Sequence, residues 1–381
     1  MNHRKQIVIT TIQGNKILFY MIGDLIYDIL VEDTREQDFH VGDIYVGKIQ
    51  NIVDNIDAAF VEISKNTVCY MNIAKCPSKK LHCGQEIIVQ VKKTAVKTKQ
   101  AVVSDTLELA GRYVVIDASG TGTHISKKIT DESSLDRLQH LADQIDFCPY
   151  AVIFRTNAMD ADDEVILDEI QRLCKELSEI QKKGATRKAY SVLHQSEPFY
   201  MEYINGCQAD HYDRIITDDA SIYDSLKKAD IPGAEFYSDV QYPLDSLLGL
   251  SNKIKKMMDK RVWLKSGGNI IIEPTEALTV IDVNTGKAIQ GKRQRETTFY
   301  KINVEAAIEA ARQIRARNIS GIILIDFIDM QDKENEEKLM ALFREELKKD
   351  KIKTTVIDIT KLGLLELTRM KKNPPLWEML E

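Results

Sequence analysis

Short apolar runs separated by turn residues dominate the first part of the chain. IVITTI, KILFYMI and LIYDILVE lie between residues 5 and 32, with glycines at 14 and 23 between them. From residue 41 to 109 further runs follow at spacings typical of a small closed barrel: GDIYVGKIQNIV, AAFVEI, CYMNI and EIIVQVKK. The pattern predicts a β-meander that leads into a β-barrel.

The middle and the last part of the chain mix strand and helix patterns. YVVID and YAVIF predict strands, and DDEVILDEIQRLCKELSEIQKKG predicts an amphipathic helix. Farther on, ALTVIDVN and GIILIDFI predict two strands joined by a helix that begins near Asn303, a residue type that caps helices. The predicted apolar face of this helix comprises Val304, Ala307, Ile308, Ala311 and Ile314, and Gly321 follows its end.

Two aspartates lie where these last two strands end. Asp282 closes an apolar run in TVIDVNTG, and Asn284 shares its face because side chains alternate along a strand. Asp326 follows four apolar residues in GIILIDFIDM, whereas Asp329 is out of phase and a weaker candidate. Ligands bind at such strand ends in open α/β sheets, and Mg²⁺ takes one or two protein carboxylates. The spacing indicates a metal site, although such aspartates also cap helices or pair with lysines.

Composition limits the class of protein without naming a function. The 381 residues suffice for several domains, and 44% apolar with 29% charged residues are ordinary for a globular protein. A net charge of -6 means that nucleic-acid binding would depend on local basic clusters. The six cysteines show no zinc spacing, so we expect reduced thiols. Neither a signal peptide nor a membrane segment is recognisable, which predicts a cytoplasmic protein.

Several stretches resemble one known family. EALTVIDVNTG, NVEAAIEAARQIRARNISGIILIDFIDM and LGLLELTRMKK, in this order and spacing, closely resemble the catalytic region of the ribonuclease E/G family. VGDIYVGKIQNIVDNIDAAFVEI resembles its inserted OB-fold RNA-binding domain. The resemblance implies an α/β multidomain protein with these segments: a first RNase H-like segment at 1–37, the OB-fold barrel at 38–109, a 5′-sensor region at 110–191, a second RNase H-like segment at 192–257 and a DNase I-like catalytic domain at 258–381.

The resemblance also implies a chemistry. The family's two metal-binding aspartates fall on Asp282 and Asp326, and its accompanying asparagine falls on Asn284. This implies an endoribonuclease that uses Mg²⁺, or alternatively Mn²⁺, to cleave A/U-rich single-stranded RNA to 5′-phosphate and 3′-hydroxyl products in RNA processing and decay. Arg369 matches a family arginine near the active site and is interpreted either as a phosphate contact or as an exposed helix arginine. Four basic residues beside the site could also face phosphates: Lys287, Lys292, Arg293 and Arg295.

RNA contacts are implied at the barrel. Phe60 and Tyr70 match positions at which the family presents aromatic rings to bases, and stacking holds single strands without sequence preference. Without the resemblance, Phe60 in AAFVEI would be interpreted as a core residue. The basic stretch beside the barrel comprises Lys92, Lys93, Lys97 and Lys99. Of these, Lys93 and Lys99 are expected to bind RNA.

A sensor of RNA 5′ ends is implied by the sequence FRT at 154–156. Arg155 and Thr156 match the pair that holds a 5′-monophosphate in the family, with Val115 as a backbone neighbour. A guanidinium and a hydroxyl suit a phosphate. Acidic residues at 160 and 162–164 follow closely and would repel a phosphate.

The sequence also departs from the family, and two other functions compete. The family's CPxC zinc link finds no counterpart, since no cysteine follows Cys207, so we expect no zinc. A zinc-linked dimer is therefore unsupported, and a homodimer through other contacts remains open. One rival function is an inactive RNA-binding scaffold, against which the retained Asp282, Asn284 and Asp326 count. The other is a Mg²⁺-dependent enzyme acting on nucleotides, which should carry a GxxxxGK[ST] phosphate cradle that this chain lacks.

Overall fold

The computed structural model describes residues 4–32, 39–74, 81–93, 100–207, 211–286 and 295–380. The chain divides into two compact units. One unit comprises residues 1–34 and 212–381, and the other comprises residues 35–211.

Strands predominate in the first part of the described chain, and most helices follow residue 131. The strands are β1 (Lys5–Ile12), β2 (Asn15–Ile22), β3 (Leu25–Val31), β4 (Ile44–Val53), β5 (Ala58–Ser64), β6 (Thr67–Asn72), β7 (Glu86–Lys93), β8 (Val102–Ser104), β9 (Glu108–Ala110), β10 (Val114–Asp117), β11 (Thr123–Ile125), β12 (Ala151–Phe154), β13 (Val192–His194), β14 (Arg214–Thr217), β15 (Ala234–Phe236), β16 (Arg261–Trp263), β17 (Asn269–Pro274), β18 (Leu278–Asn284), β19 (Gly321–Asp326), β20 (Thr354–Ile359) and β21 (Leu365–Arg369). The α-helices are α1 (Glu132–Ala142), α2 (Asp163–Gly184), α3 (Phe199–Asn205), α4 (Ala220–Lys228), α5 (Leu244–Leu248), α6 (Leu250–Met258), α7 (Arg295–Ala316), α8 (Lys333–Lys348) and α9 (Leu376–Met379).

The first unit contains two sheets. A five-stranded sheet has the order β15-β14-β1-β2-β3, in which β1, β2 and β3 form the predicted antiparallel meander. β14 adds to β1 in parallel, and β15 adds to β14 in parallel. A six-stranded sheet has the order β16-β17-β18-β19-β21-β20, and in it only β18 and β19 are parallel neighbours.

Helices α7 and α8 supply the core of the six-stranded sheet. Alternate residues of the central strands, such as Ile281 and Ile325, are fully buried together with Ala310 of α7 and Phe343 of α8. Burying these side chains leaves the other residues of each strand on the opposite face, because side chains alternate along a strand. The predicted unit of strand, helix and strand is confirmed as β18, α7 and β19.

Two details of the predicted helix are wrong. Asn303 is no cap, because α7 already begins at Arg295 and Asn303 lies fully buried inside it. Ile308, predicted on the apolar face, is 41% exposed. Small residues such as Ala306 and Ala310 face the core, which lets the helix approach the sheet closely. The buried face of the helix is therefore rotated away from the face predicted from its larger apolar residues.

The second unit begins with a closed five-stranded barrel. The ring runs β4-β5-β6-β8-β7 and closes from β7 back to β4, with β13 paired to the start of β4. Its interior is filled by buried aliphatic side chains that include Ile49, Val61, Ile63, Met71 and Val89. Closure removes exposed sheet edges. The prediction of a small, OB-like barrel is confirmed.

The rest of the second unit contains a four-stranded sheet and the helices α1, α2 and α3. The order of this sheet is β11-β12-β10-β9, and α1 and α2 bury their apolar faces in the same core. Asp131 caps α1 by accepting a hydrogen bond from the amide of Ser134 at 2.8 Å. Among the helices of the described ranges, none is both long and apolar enough to cross a membrane.

The expectation of reduced thiols alone is wrong. Cys148, before β12, and Cys174, on α2, form a disulfide with an S–S distance of 2.09 Å. The two positions are 26 residues apart, so only the packing of α2 against the sheet brings them together. Cys69 and Cys207 are buried and lie outside this disulfide, and Cys83 is exposed. Burial raises the pKa of the Cys69 thiol to about 11.

Candidate functional site

Asp282 and Asp326 occupy one row of the six-stranded sheet. The parallel strands β18 and β19 are in register so that Asp282 is paired directly with Asp326. Neighbouring strands lie about 4.8 Å apart, so the two carboxylates are neighbours, Asp326 at the end of β19 and Asp282 two residues before the end of β18. They lie on the face opposite the helices, because the adjacent Ile281 and Ile325 belong to the core.

Several negative charges lie close together around this pair. Asn284 donates a hydrogen bond from Nδ2 to Oδ2 of Asp282 at 2.6 Å, which orients that carboxylate. Burial, then the charges of Asp282 and Asp329, raise the pKa of the Asp326 carboxyl group. A cation between the carboxylates would relieve this repulsion.

The donor set fits Mg²⁺ better than a metal that needs several protein ligands. Across the described ranges no group of three or more His, Cys, Asp or Glu side chains is arranged to hold a metal ion. Mg²⁺ usually keeps several waters and takes one or two carboxylates, which is what Asp282 and Asp326 offer.

Helix α7 holds the segment that follows Asp326, a feature that the sequence pattern did not reveal. Asn303 donates from Nδ2 to the carbonyl oxygen of Ile328 at 2.7 Å and accepts at Oδ1 from the Ile328 amide at 3.0 Å. Nearer the start of the helix, Glu296 accepts hydrogen bonds from the amides of Gln331 and Asp332 at 3.2 Å. The peptide between Asp326 and Asp329 is therefore fixed to the helix, which restricts the backbone that carries Asp326.

Arg369 does not lie where the sequence analysis expected it. It pairs with Gly321 at the start of β19, whereas Asp326 ends that strand. It is only 3% exposed, and its Nε donates to Asp350 at 2.7 Å while Nη1 donates to Asn318 at 2.7 Å. Arg369 is thus a buried ion-pair partner at the far end of the sheet. The expected phosphate contact is wrong for the structure described, and so is the exposed helix arginine.

The outer face of the barrel carries the two predicted aromatic residues. Pairing across four strands places Phe60 opposite Tyr70, Tyr70 opposite Val102 and Val102 opposite Lys93. The rings of Phe60 and Tyr70 meet edge to face, with centroids 6.3 Å apart. Phe60 is half-buried and points away from the interior, because its neighbours Ala59 and Val61 fill the barrel core. It is therefore not the core residue that its apolar run alone indicated.

The lysines beside the barrel differ in their surroundings. Lys93 is exposed at the end of the aromatic row. Lys92 instead pairs with Glu108 at 3.2 Å and donates to Gln90 at 2.9 Å. The remaining predicted basic contacts lie outside the described residues: Lys97, Lys99, Lys287, Lys292, Arg293 and the side chain of Arg295.

Val115, Arg155 and Thr156 lie together at one end of the four-stranded sheet. Val115 pairs with Ile153, and the Arg155 amide donates to the carbonyl oxygen of Tyr113 at 2.8 Å, so Val115 and Arg155 share a face. The guanidinium of Arg155 is largely enclosed and donates to the carbonyl oxygen of Gly111. Burial lowers the pKa of Arg155.

The carboxylates whose charges act on Arg155 do not belong to the acidic run. Glu169 and Glu202 are the groups whose charges act on the Arg155 guanidinium. Glu169 is held by three backbone amides, at residues 112, 113 and 114, at 2.7–3.0 Å. A side chain at Gly111 would collide with this carboxylate, so glycine is needed there. Within the acidic run, Asp163 pairs instead with Arg137 at 3.0 Å.

Comparison with known proteins identifies the family. The sequence profile of the Ribonuclease E/G family matches residues 108–372. Ribonuclease E of Nostoc sp. is 32% identical over 98% of this chain, and ribonuclease E of Synechocystis sp. is 33% identical over 98%. The chain spans 57% and 58% of the length of these two relatives. Ribonuclease G of Escherichia coli is 29% identical over 92% of this chain and is itself covered to 77%. The chain therefore belongs to the ribonuclease E/G family.

Proposed function

We propose that this chain is an endoribonuclease that uses Mg²⁺, or alternatively Mn²⁺, to hydrolyse single-stranded, A/U-rich RNA in RNA processing and decay. The observation that carries the proposal is the register of β18 and β19, which pairs Asp282 with Asp326 near the carboxyl ends of two parallel strands. Relatives named ribonuclease E and ribonuclease G support the same activity. A cytoplasmic location belongs to the proposal.

Asp282 and Asp326 would hold the metal ion, and each remaining residue prepares this site. When bound, Mg²⁺ polarises a phosphodiester and helps to generate hydroxide. Asn284 fixes one oxygen of Asp282, so the carboxylate presents its other oxygen in a defined direction. Asn303 holds the peptide at Ile328 and thereby limits the movement of Asp326. Attack of water on phosphorus with departure of the 3′ oxygen yields the expected 5′-phosphate and 3′-hydroxyl ends.

The barrel would hold the RNA strand. Phe60 and Tyr70 offer aromatic surface to bases, and Lys93 at the end of the same row offers a cation to the backbone. Stacking contributes about 1–3 kcal/mol per base and tolerates any sequence. Phe60→Leu should therefore weaken RNA binding about 5- to 150-fold, measured by fluorescence anisotropy with a labelled single strand. Equal affinity of the variant and the wild type would remove Phe60 from the interface.

The fold names implied by the family resemblance are also included in this proposal. The five-stranded sheet, assembled from residues 5–31 and 214–236, would be the RNase H-like portion. The six-stranded sheet with α7 and α8 on one face would be the DNase I-like catalytic domain. β13, which the sequence assigns to the second RNase H-like segment, pairs with barrel strand β4.

The decisive experiment compares carboxylate variants on a short single-stranded RNA. Asp282→Asn or Asp326→Asn should abolish cleavage while RNA binding persists, because neither change touches the barrel. Neither variant should be less stable than the wild type, since each removes a charge from a repelling pair. Asp358→Asn is the matched control, because Asp358 is an exposed carboxylate on strand β20 of the same sheet. Wild-type turnover by either active-site variant would refute the metal pair.

A second candidate function, an inactive RNA-binding scaffold, is separated by the same assay. A scaffold would bind the RNA through Phe60 and Tyr70 and would leave it intact at any concentration of Mg²⁺ or Mn²⁺. An active enzyme would cleave it, and a chelator would stop the reaction. The paired carboxylates and their hydrogen-bonded asparagine favour the enzyme, because RNA binding alone does not require two carboxylates that repel each other.

Stimulation by a 5′-monophosphate rests on Arg155 and Thr156. The wild type should cut RNA with a 5′-monophosphate faster than the same RNA with a triphosphate or a hydroxyl. Losing one charged hydrogen-bond partner costs about 1.5–3 kcal/mol, so Arg155→Ala should erase a preference of about ten- to a hundredfold. Equal wild-type rates on all three RNAs would contradict the proposed role of Arg155 and Thr156 in sensing the 5′ end.

A further inference from the structure

The row that contains the two aspartates continues to the edge of the six-stranded sheet. Asp326 pairs with Asp282, Asp282 with Ile271 on β17, and Ile271 with Arg261 on the edge strand β16. Directly paired residues point to the same face of a sheet, so the exposed side chain of Arg261 shares the face of the carboxylates. With neighbouring strands about 4.8 Å apart, it lies about 10 Å from Asp282.

A second row beside the first carries an exposed aromatic ring. Asn284 pairs with Asn269, and Asn269 pairs with Trp263 at the end of β16. Trp263 is 64% exposed, although tryptophan is a large apolar residue that is usually mostly buried. The guanidinium of Arg261 lies over its ring, 5.7 Å from the centroid. The edge of the sheet therefore presents a ring and a cation next to the carboxylate pair.

Asn269 lies between Trp263 and Asn284 in the second row. It is 5% exposed, and its Oδ1 has no hydrogen-bond partner among the described residues. Leaving a buried polar atom unsatisfied costs free energy, so such an atom calls for a ligand or water that donates to it. A ribose 2′-hydroxyl is a donor that RNA has and DNA lacks.

We propose that Trp263, Arg261 and Asn269 form a nucleotide-binding subsite beside the carboxylate pair. The base of a nucleotide next to the cleaved bond stacks on Trp263, Arg261 contacts a backbone phosphate, and Oδ1 of Asn269 accepts a hydrogen bond from the 2′-hydroxyl. The distance of about 10 Å from Asp282 places this nucleotide close to the reacting phosphate but not at it. The subsite rests on the proposed function and adds a second stacking surface to that of the barrel.

The charge pattern of the edge supports an anionic ligand. Within the described ranges, no carboxylate forms an ion pair with Arg261, although the chain carries more acidic than basic residues. The carboxylates that share its row are Asp282 and Asp326, two and three strands away. A single strand that passes from Trp263 to the carboxylate pair thus meets a cation first and the metal site next.

Intrinsic fluorescence tests the stacking contact directly. The chain has two tryptophans, Trp263 and the partly buried Trp377. A Trp377→Phe protein reports on Trp263 alone, and Asp282→Asn in the same protein prevents cleavage. Titration with a short oligoadenylate should quench this fluorescence in step with binding measured by anisotropy. Binding without a change in Trp263 fluorescence would overturn the proposal.

Kinetics test whether the contact matters for cleavage. Trp263→Ala should lower kcat/KM about 5- to 150-fold, the range that loss of one base stack produces, while Trp263→Phe should retain most of the activity. Ile322→Ala is the matched control, because Ile322 is 49% exposed on the same face at the far end of the sheet. Loss of activity in the alanine control, or in Trp263→Phe, would indicate a structural effect and contradict the subsite.

Modified RNAs locate the nucleotide. An abasic site can be placed at successive positions of the substrate. At one position it should slow cleavage by the wild type as much as the Trp263→Ala change does. At that position it should not slow cleavage by the Trp263→Ala variant any further. A 2′-deoxy substitution at the same position should slow the wild type and leave Asn269→Ala unaffected. If Asp282→Asn is inactive but Trp263→Ala cleaves every RNA as the wild type does, only the subsite is refuted. If Asp282→Asn cleaves normally, the proposed function itself fails.

Discussion

Arg369 offers the sharpest test of structure against sequence, because the two assign it opposite roles. Its guanidinium donates to Asp350, to Oδ1 of Asn318 and to the carbonyl oxygen of Ile319, at distances between 2.7 and 3.4 Å. The side chains of Arg369 and Asp350 are 2% and 7% exposed. Arg369→Met retains most of the side chain's length but leaves the Asp350 carboxylate buried without its cation.

The expected loss of stability follows from this burial. Removing one partner of a buried ion pair costs about 3–5 kcal/mol, whereas an exposed pair contributes about 0–1 kcal/mol. If the free energy of unfolding falls by about 3 kcal/mol per molar urea, the urea concentration at the unfolding midpoint should fall by about 1–2 M. Combining Arg369→Met with Asp350→Asn should cost less than the sum of the two single changes by about 0.5–3 kcal/mol, because the double variant buries no unpaired charge.

The assay measures urea unfolding by circular dichroism and RNA affinity as a function of salt. A residue that binds a phosphate contributes about one unit to the slope of log affinity against log salt. Arg369→Met should leave that slope unchanged when measured on folded protein. A normal unfolding midpoint with a reduced salt slope would refute the structural role and restore the phosphate contact.

Three further predictions concern other regions of the chain. Asn303→Ala should raise the Mg²⁺ concentration for half-maximal cleavage about ten- to a hundredfold without changing RNA affinity, because it frees the segment after Asp326, the proposed metal ligand. An unchanged Mg²⁺ requirement would contradict this. At pH 8 alkylation should modify exposed Cys83 far faster than Cys69, since a pKa of about 11 leaves about a thousandth of Cys69 as thiolate; mass spectrometry after brief labelling decides. Cys174→Ser should lower the free energy of unfolding by about 3 kcal/mol, because the disulfide closes a loop of 26 residues, and equal denaturation midpoints would argue against the bond.

Local patterns in the sequence were sufficient for the strands, the barrel and the carboxylates. Alternating apolar residues specify which strand positions face a core, and this places Asp282, Asn284 and Asp326 on the opposite face without knowledge of the neighbours. Matching to a known family then supplied the chemistry, which no pattern of burial contains. The RNA contacts proposed for Phe60 and Tyr70 rest on the same resemblance, whereas the apolar run around Phe60 alone indicated a core position.

Features that depend on partners distant in the sequence were decided by packing. Arg369 is buried because Asp350 and Asn318 meet it across the sheet, and Asn303 is buried because α7 lies against the segment after β19. Trp263 becomes a member of a candidate site only through the pairing of three strands. The physical reason is common to all: residue type and spacing determine which groups need burial or a partner, but which partner is within reach depends on strand register and helix packing.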